Sequence, residues 1–299
     1  MSISATGALD AREAFDRLLS ELRPKLHRYC ARMTGSVVDG EDVLQEALVK
    51  ALEAFPRTDK IDNPEGWLFR IAHNAALDFL RRRARREAAR SDEEVDMIAD
   101  PISAAESRRI TAMSLRTFMR LPVPQRSSVI LMDVLGYSLE EIGAIMGATI
   151  PAIKAALHRG RARLRELAQE PDDAPVPVLA EGERALLARY VERFNARDFE
   201  AVRNMLADEV RLDLVAKLRL TGRAEVGNYF NNYGRIQDWL FVPGLVDGRA
   251  AVLVRNPENP SGAPGYFVLL DWVDGRLVNI RDFRFARYAT EGADLRTLG

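Results

Sequence analysis

Arg70, Asn74, Asp78, Arg81 and Arg85 follow one another at intervals of three or four residues. On a helix, that spacing puts all five on one face. Six arginines then fall within Arg81–Arg90. Guanidinium groups in such a row form a cationic track, and the planar fork of each suits phosphates and base edges. A second set, Lys154, His158, Arg159, Arg161, Arg163 and Arg165, occupies the faces of another helical stretch that are left when Ile153, Leu157 and Leu164 turn inward. The chemistry in view is the holding of nucleic acid rather than the making of bonds. A plainer reading of Arg81–Arg86 stands beside it, a solvated helix end whose cations favour the helix dipole. His158 has no His, Cys or acid at ligand spacing, so a phosphate or base contact suits it better than a metal.

These side chains need helices to carry them, and the hydrophobic pattern supplies them. Leu44, Leu48, Ala51, Leu52 and Phe55 form one apolar stripe, with Asp42, Gln45, Glu46 and Glu53 off it. Pro56 ends that helix. After a loop, Arg57 to Glu65, a helix starts near Pro64 and turns Trp67, Leu68, Ile71, Ala72 and Ala75 inward. Trp67 therefore belongs to the core rather than to a stacking platform. Further on, Leu121-Pro122 opens a helix that Gly136 closes, Ser138 and Glu141 form a capping box, Gly147 marks a turn, and Thr149 caps a last helix with Pro151 in its first turn. A short helix, a glycine turn and a basic helix is the arrangement that fills a DNA major groove.

The chain has 299 residues, which at roughly 100–200 per domain suggests two or three domains. Hydrophobic residues at 47% and charged residues at 29% mark a globular protein. No run approaches the roughly 18 apolar residues of a membrane helix, and the N-terminus lacks the basic start and apolar stretch of a secretory signal. The expected address is the cytoplasm. A single cysteine, Cys30, excludes an internal disulfide and a thiolate zinc cage, and among Leu26, Tyr29 and Met33 it reads as buried and inert. No metal or cofactor is expected. The net charge of −1 is spread evenly, so contact with nucleic acid must come from local clusters.

The expected division runs 1–90, an acidic linker 91–104, 105–170, a Pro-rich linker 171–180, and 181–290. The acidic stretch Asp92-Glu93-Glu94 is either plainly solvated or a mimic of nucleic acid. In the last segment one or two helices precede short alternating strands, with hairpin turns at Asp247-Gly248 and Asp274-Gly275. The fold class is multidomain, with two all-α domains followed by an α+β domain.

Three stretches in order resemble the bacterial extracytoplasmic-function sigma factors, the small promoter-recognition subunits of RNA polymerase. They are DGEDVLQEALVKALEAF (Asp39 to Phe55), NPEGWLFRIAHNAALDFLRRRARR (Asn63 to Arg86) and LPVPQRSSVILMDVLGYSLEEIGAIMGATIPAIKAALHRGRARLREL (Leu121 to Leu167). The resemblance implies sigma region 2 over 1–90 and sigma region 4 over 105–170. It implies core RNA polymerase and promoter DNA as partners and no catalysis. Asp42, Gln45 and Glu46 would meet polymerase. Arg57, Lys60, Asn63, Arg70, Asn74, Asp78 and Arg81 would bind the non-template strand at the −10 element. Thr149, Lys154, His158, Arg159 and Arg161 would read the −35 duplex. This chain departs from the family at Ala152 and Ala155, where hydroxyl side chains are usual; an alanine can touch a thymine methyl but cannot donate a hydrogen bond, so the family's −35 preference does not carry over at these positions.

The tail resembles the SnoaL-like, nuclear transport factor 2-like cone, on LLARYVERFNARDFEAVRNMLADEVRLDL and YFVLLDWVDGRLVNIRDFRFARY. That resemblance implies a curved antiparallel sheet wrapped round helices, with a pocket in its mouth. A small-molecule pocket would be lined by some of Tyr190, Phe194, Tyr229, Tyr233, Trp239, Tyr266 and Trp272, with plain core packing as the alternative for each. The implied role is a built-in regulator that packs on the sigma segments or touches polymerase. The alternative is a cyclase- or isomerase-type enzyme with an accessory DNA-binding region. Related cones use an Asp base, and Asp213, Asp271 and Asp282 are the candidates here. The bland reading makes all three surface or strand-end residues in salt bridges.

Overall fold

The computed structural model describes residues 5–58, 61–87, 110–111, 113–170 and 178–298. The acidic stretch Asp92-Glu93-Glu94 and the prolines of 171–177 lie outside them. The chain divides into two compact units, Met1–Asp172 and Asp173–Gly299. Among the described residues, no helix is long and apolar enough to cross a membrane.

The first unit is helical throughout. Helix α1 (Ala5–Thr34) buries Phe15, Leu19, Leu26, Tyr29, Cys30 and Met33, the side chains of one apolar stripe. Gly35, in the left-handed region at φ 79°, ends it. Ser36 caps α2 (Val37–Ala54) by accepting from the N–H groups of Val38 and Asp39. The two helices cross closely at Gly40, where a Cβ would come within 2.6 Å of the Ala31 backbone. A short turn (Phe55–Arg57) leads towards α3 (Pro64–Glu87), whose buried side includes Leu68, Phe69, Ala72, Ala75 and Ala76.

Helix α4 (Leu115–Met119) precedes α5 (Val123–Val129), which continues as a wider turn over Ile130–Val134. There the Leu135 N–H reaches back five residues to Ile130 O at 3.1 Å. Helices α6 (Leu139–Met146) and α7 (Ile150–Leu167) follow, with the expected caps present: Ser138 and Glu141 bond reciprocally, Gly147 is left-handed at φ 65°, and Thr149 accepts from Ala152 N–H. One hydrophobic core runs from Phe15 through Phe69 and Ile130 to Leu167, so the two expected helical domains pack on each other as a single body.

Arg126 pins that packing. It is buried, and it donates to Met33 O at 2.6 Å, Leu121 O at 2.9 Å and Met119 O at 3.2 Å. The α1 C-terminus thereby finds donors for a carbonyl that its own helix leaves open. Burial lowers the Arg126 guanidinium to about 10.

The second unit opens with α8 (Glu181–Asn195) and α9 (Phe199–Asn204). Strands β1 (Leu206–Leu214) and β2 (Leu218–Thr221) follow, then helix α10 (Arg223–Gly234) and the strands β3 (Leu240–Val246), β4 (Arg249–Arg255), β5 (Tyr266–Val273), β6 (Arg276–Asp282) and β7 (Leu295–Thr297). The sheet order is β2-β1-β6-β5-β4-β3-β7. Asp247-Gly248 and Asp274-Gly275 make the expected hairpin turns, all four residues at positive φ (50°, 82°, 49° and 73°). Two details differ from the sequence reading. Strand β1 pairs with β6 in parallel rather than antiparallel, since the whole β2–β5 segment separates them and no tight turn sets their direction. Helix α10 interrupts the run of strands, its apolar face made of Val226, Tyr229, Phe230 and Tyr233.

Candidate nucleic-acid interface

The outer face of α3 carries Arg70, Asn74 and Arg81 exposed, with Asp78 half-exposed. Inward Leu68, Phe69, Ala72, Ala75 and Ala76 fix the rotation of the helix, so the polar residues have one direction left. The side chains of Arg70 and Asn74 make no hydrogen bond to another described residue. Arg81 reaches Asp78 at 3.3 Å, and Asp78 also faces Lys50 at 3.8 Å. Arg57 is exposed at the turn before the loop. Lys60 lies outside the described residues. Asn63 has a structural duty, because its Oδ1 accepts from Gly66 N–H at 2.9 Å in the first turn of α3.

Within Arg81–Arg86 the arginines split. Arg82 binds Glu46 at 2.7 Å and Arg83 faces Asp39 at 4.0 Å, both acids on α2. Arg81, Arg85 and Arg86 are exposed. The hydrogen bond from Arg82 holds the Glu46 carboxyl below its ordinary range, helped by Lys50 at 2.8 Å. Of the other acidic-face candidates, Asp42 is exposed, and Gln45 donates to the buried Glu41 at 3.2 Å.

On α7, Lys154 is exposed and His158 and Arg159 are half-buried along the same stretch. Thr149 spends its hydroxyl on the cap. Arg161 corrects the sequence reading. Its Nη2 and Nε meet Asp133 at 2.6 and 2.9 Å, and the side chains are only 13% and 2% exposed. A fork held by a buried carboxylate is a brace between the wide turn and α7. Asp133 was missed, although a lone acid inside ILMDVL is the signal of a buried pair.

Three further residues, Glu65, Tyr137 and Lys25, were passed over. Glu65 accepts from Tyr137 Oη and from Lys25 Nζ at 2.6 Å. Burial alone would raise its carboxyl, but the two donors bring it below its ordinary range. The two donors lie 40 and 72 residues from Glu65, and no local pattern reveals such a contact.

In the second unit the aromatic residues expected to line a pocket are mostly core. Phe194 stacks on Phe241 at 4.1 Å and meets Tyr233 and Trp239 edge-on, both at 5.2 Å. Tyr190 and Tyr229 are buried too, and Trp272 packs half-buried against the same cluster. Tyr266 lines a cavity of about 520 Å³ at the end of β4 and the start of β5, where the other six do not appear.

Asp282 is 0% exposed and is neither the surface residue nor the salt-bridged strand end expected of it. Tyr229 and Tyr233 both donate to its Oδ2, the latter at 2.7 Å, and Arg284 N–H donates to Oδ1 at 2.8 Å. Burial pushes the carboxyl up, and the phenol bonds work against that shift. Asp213 faces Arg219 at 3.5 Å and Arg281 at 3.7 Å, and exposed Asp271 accepts from Asn279 at 2.8 Å. Asp213 follows the plain reading, and Asp271 lies at the surface but meets an amide rather than a cation.

Residues 18–86 match the family Sigma-70 region 2, and residues 115–164 match Sigma-70, region 4. The chain is 31% identical over 166 residues to the ECF RNA polymerase sigma factor SigE of Mycolicibacterium smegmatis, covering 54% of this chain and 64% of that protein. It is 34% identical over 157 residues to SigM of Mycobacterium tuberculosis, covering 52% of this chain and 78% of that one. Among solved structures, the extracytoplasmic function sigma factor SigJ of M. tuberculosis aligns over 90% of this chain and 95% of its own, at 18% identity and a TM-score of 0.34.

Proposed function

This chain belongs to the extracytoplasmic-function RNA polymerase sigma factors, and from that premise we propose that it binds core RNA polymerase and directs it to promoters. The first unit carries the work. The exposed row Arg70, Asn74 and Arg81 on α3, with Arg57, takes the non-template strand at the −10 element. Arginine and asparagine there combine phosphate charge with hydrogen-bonding edges for an unstacked base. Lys154, His158 and Arg159 on α7 meet the −35 duplex, with Pro151, Ala152 and Ala155 facing the groove around them. The α2 face at Asp42, Gln45 and Glu46 meets polymerase. The observation that carries the reading is the α3 face, a polar row with Arg70 and Asn74 engaged by no described side chain, on a helix whose opposite side is fully packed.

The function rests on binding and strand separation rather than on turnover. The SnoaL-like second unit acts as a built-in regulator of the first. Run-off transcription with core polymerase tests both statements. The full chain should confer start-site selection on core enzyme that has none, and a chain ending at Glu170 should change the level of output. A core enzyme that gains no start site would overturn the reading. Unchanged output from the shorter chain would remove the regulatory role alone.

A further inference from the structure

A cavity opens beside Tyr266 in the second unit. The aromatic cluster around Phe194 fills the interior behind it. Its volume of about 520 Å³ falls in the range of roughly 300–1,000 Å³ that small-molecule sites occupy. Val254, Gly265 and the ring of Tyr266 give it an apolar wall, and the amides of Gln237 and Asn256 give it neutral polar groups.

The charges in the wall do not cancel. Arg255 is held rigidly, with Nη1 on Pro260 O at 2.7 Å and Nη2 on Thr297 Oγ1 at 2.8 Å, and has no carboxylate partner among the described residues. Arg287 lies over the Tyr266 ring at 5.8 Å, also without an acid partner among them. Of the two acids in the wall, Asp238 is taken by Arg284 at 2.7 Å. Only Glu258 is left to oppose the two guanidinium groups. The Tyr266 hydroxyl is fixed by Arg284 Nη1 at 2.8 Å and lies 3.2 Å from the Tyr233 hydroxyl, so the ring cannot swing to close the space without breaking that chain.

We propose that this cavity is a binding site for a small organic acid, its carboxylate held by the fork of Arg287, with the fixed positive charge of Arg255 beside it, and its planar body laid against Val254 and Tyr266. A carboxylate matches the guanidinium fork in two parallel hydrogen bonds and supplies the charge that the wall lacks. A neutral body of the same shape would gain only the apolar contact. The site lies wholly within the second unit, so it stands or falls apart from promoter recognition.

Calorimetric titration of the full chain with 2-naphthoate, and with 2-naphthylmethanol as its neutral counterpart, tests this. The acid should bind one per chain and at least tenfold more tightly than the alcohol. Arg287→Gln should weaken the acid at least tenfold and leave the alcohol unchanged. Because Arg287 makes no side-chain hydrogen bond among the described residues, this variant should melt like the parent. Arg287→Lys, which keeps the charge and loses the fork, should also weaken the acid and serves if the first variant folds poorly. No binding of 2-naphthoate at millimolar concentration, equal binding of acid and alcohol, or an Arg287→Gln chain that binds the acid as before would each overturn the proposal.

Discussion

The phenol of Tyr137, just before the helix-turn-helix, donates a hydrogen bond to Glu65 in the first turn of α3, and Lys25 of α1 closes the group from a position 4.2 Å above the Tyr137 ring. Phe69 meets the same ring edge-on at 5.1 Å. Three segments far apart in the chain thus share one charged hydrogen-bond centre, and this centre joins the two helical modules.

Tyr137→Phe should lower the unfolding free energy of the first unit by about 1.5–3 kcal/mol, the range for a hydrogen bond to a charged group. Glu65→Gln should cost a similar amount, and the double variant should cost less than the sum, because the two changes remove one shared contact. Urea unfolding followed by circular dichroism would measure all three. Strict additivity would mean that the residues do not act together.

Arg159 and Arg161 should separate cleanly. Arg161→Ala leaves the buried Asp133 carboxylate without its partner and should destabilise the first unit by about 3–5 kcal/mol. Arg159→Ala should act on DNA binding. It should weaken binding to −35 duplex and reduce the salt slope of that binding by about one. Melting curves beside a salt series of binding isotherms would show the split.

On α3, replacing Arg70 or Asn74 with Ala should leave stability within about 0.5 kcal/mol of the parent, as exposed sites do. Both variants should impair promoter opening. Permanganate reactivity of thymines at −10, with holoenzyme on a linear promoter, is the readout. Full reactivity from both variants would remove the α3 face from the strand-binding role.

Burial lowers the His73 imidazole to about 4, and Tyr29 Oη lies 2.7 Å from its Nδ1. Between that value and the ordinary one near 6.5, the unfolded chain takes a proton that the folded chain does not. Stability of the first unit should therefore be complete above about pH 6.5 and fall as pH drops towards 4, by up to about 3 kcal/mol. His73→Asn should flatten that part of the profile in unfolding experiments run from pH 7 to 4.

Asp282→Ala should destabilise the second unit by about 3 kcal/mol or more, since two buried phenols and the Arg284 N–H lose their acceptor together. The melting of the first unit, followed by its own probe, should not move.

Local patterns made much of this molecule legible. The caps at Ser138, Gly147 and Thr149, the inward stripe of α3 and the Asp-Gly hairpins all depend on neighbours within four residues, and the chain spells such neighbours out. The ion pair of Arg161 with Asp133 was not legible, because a helical arginine off the apolar stripe looks the same whether it meets DNA or a buried acid 28 residues away. The same holds for Asp282. Period-two alternation gives its strand, but nothing in it foretells that two tyrosines of α10 close over the carboxylate. Aromatic residues that might have lined a cavity instead fill one, and composition alone does not distinguish the two.

The five-residue reach between Leu135 and Ile130 makes the length of this segment consequential. Removing a single residue between Val129 and Gly136 would restore ordinary helical pitch and turn everything beyond it by about 100°. Tyr137 would swing away from Glu65, and Asp133 would no longer point at Arg161. Insertions and deletions should therefore be tolerated far less here than a surface helix junction would suggest, and chains that share this brace should share its residue count.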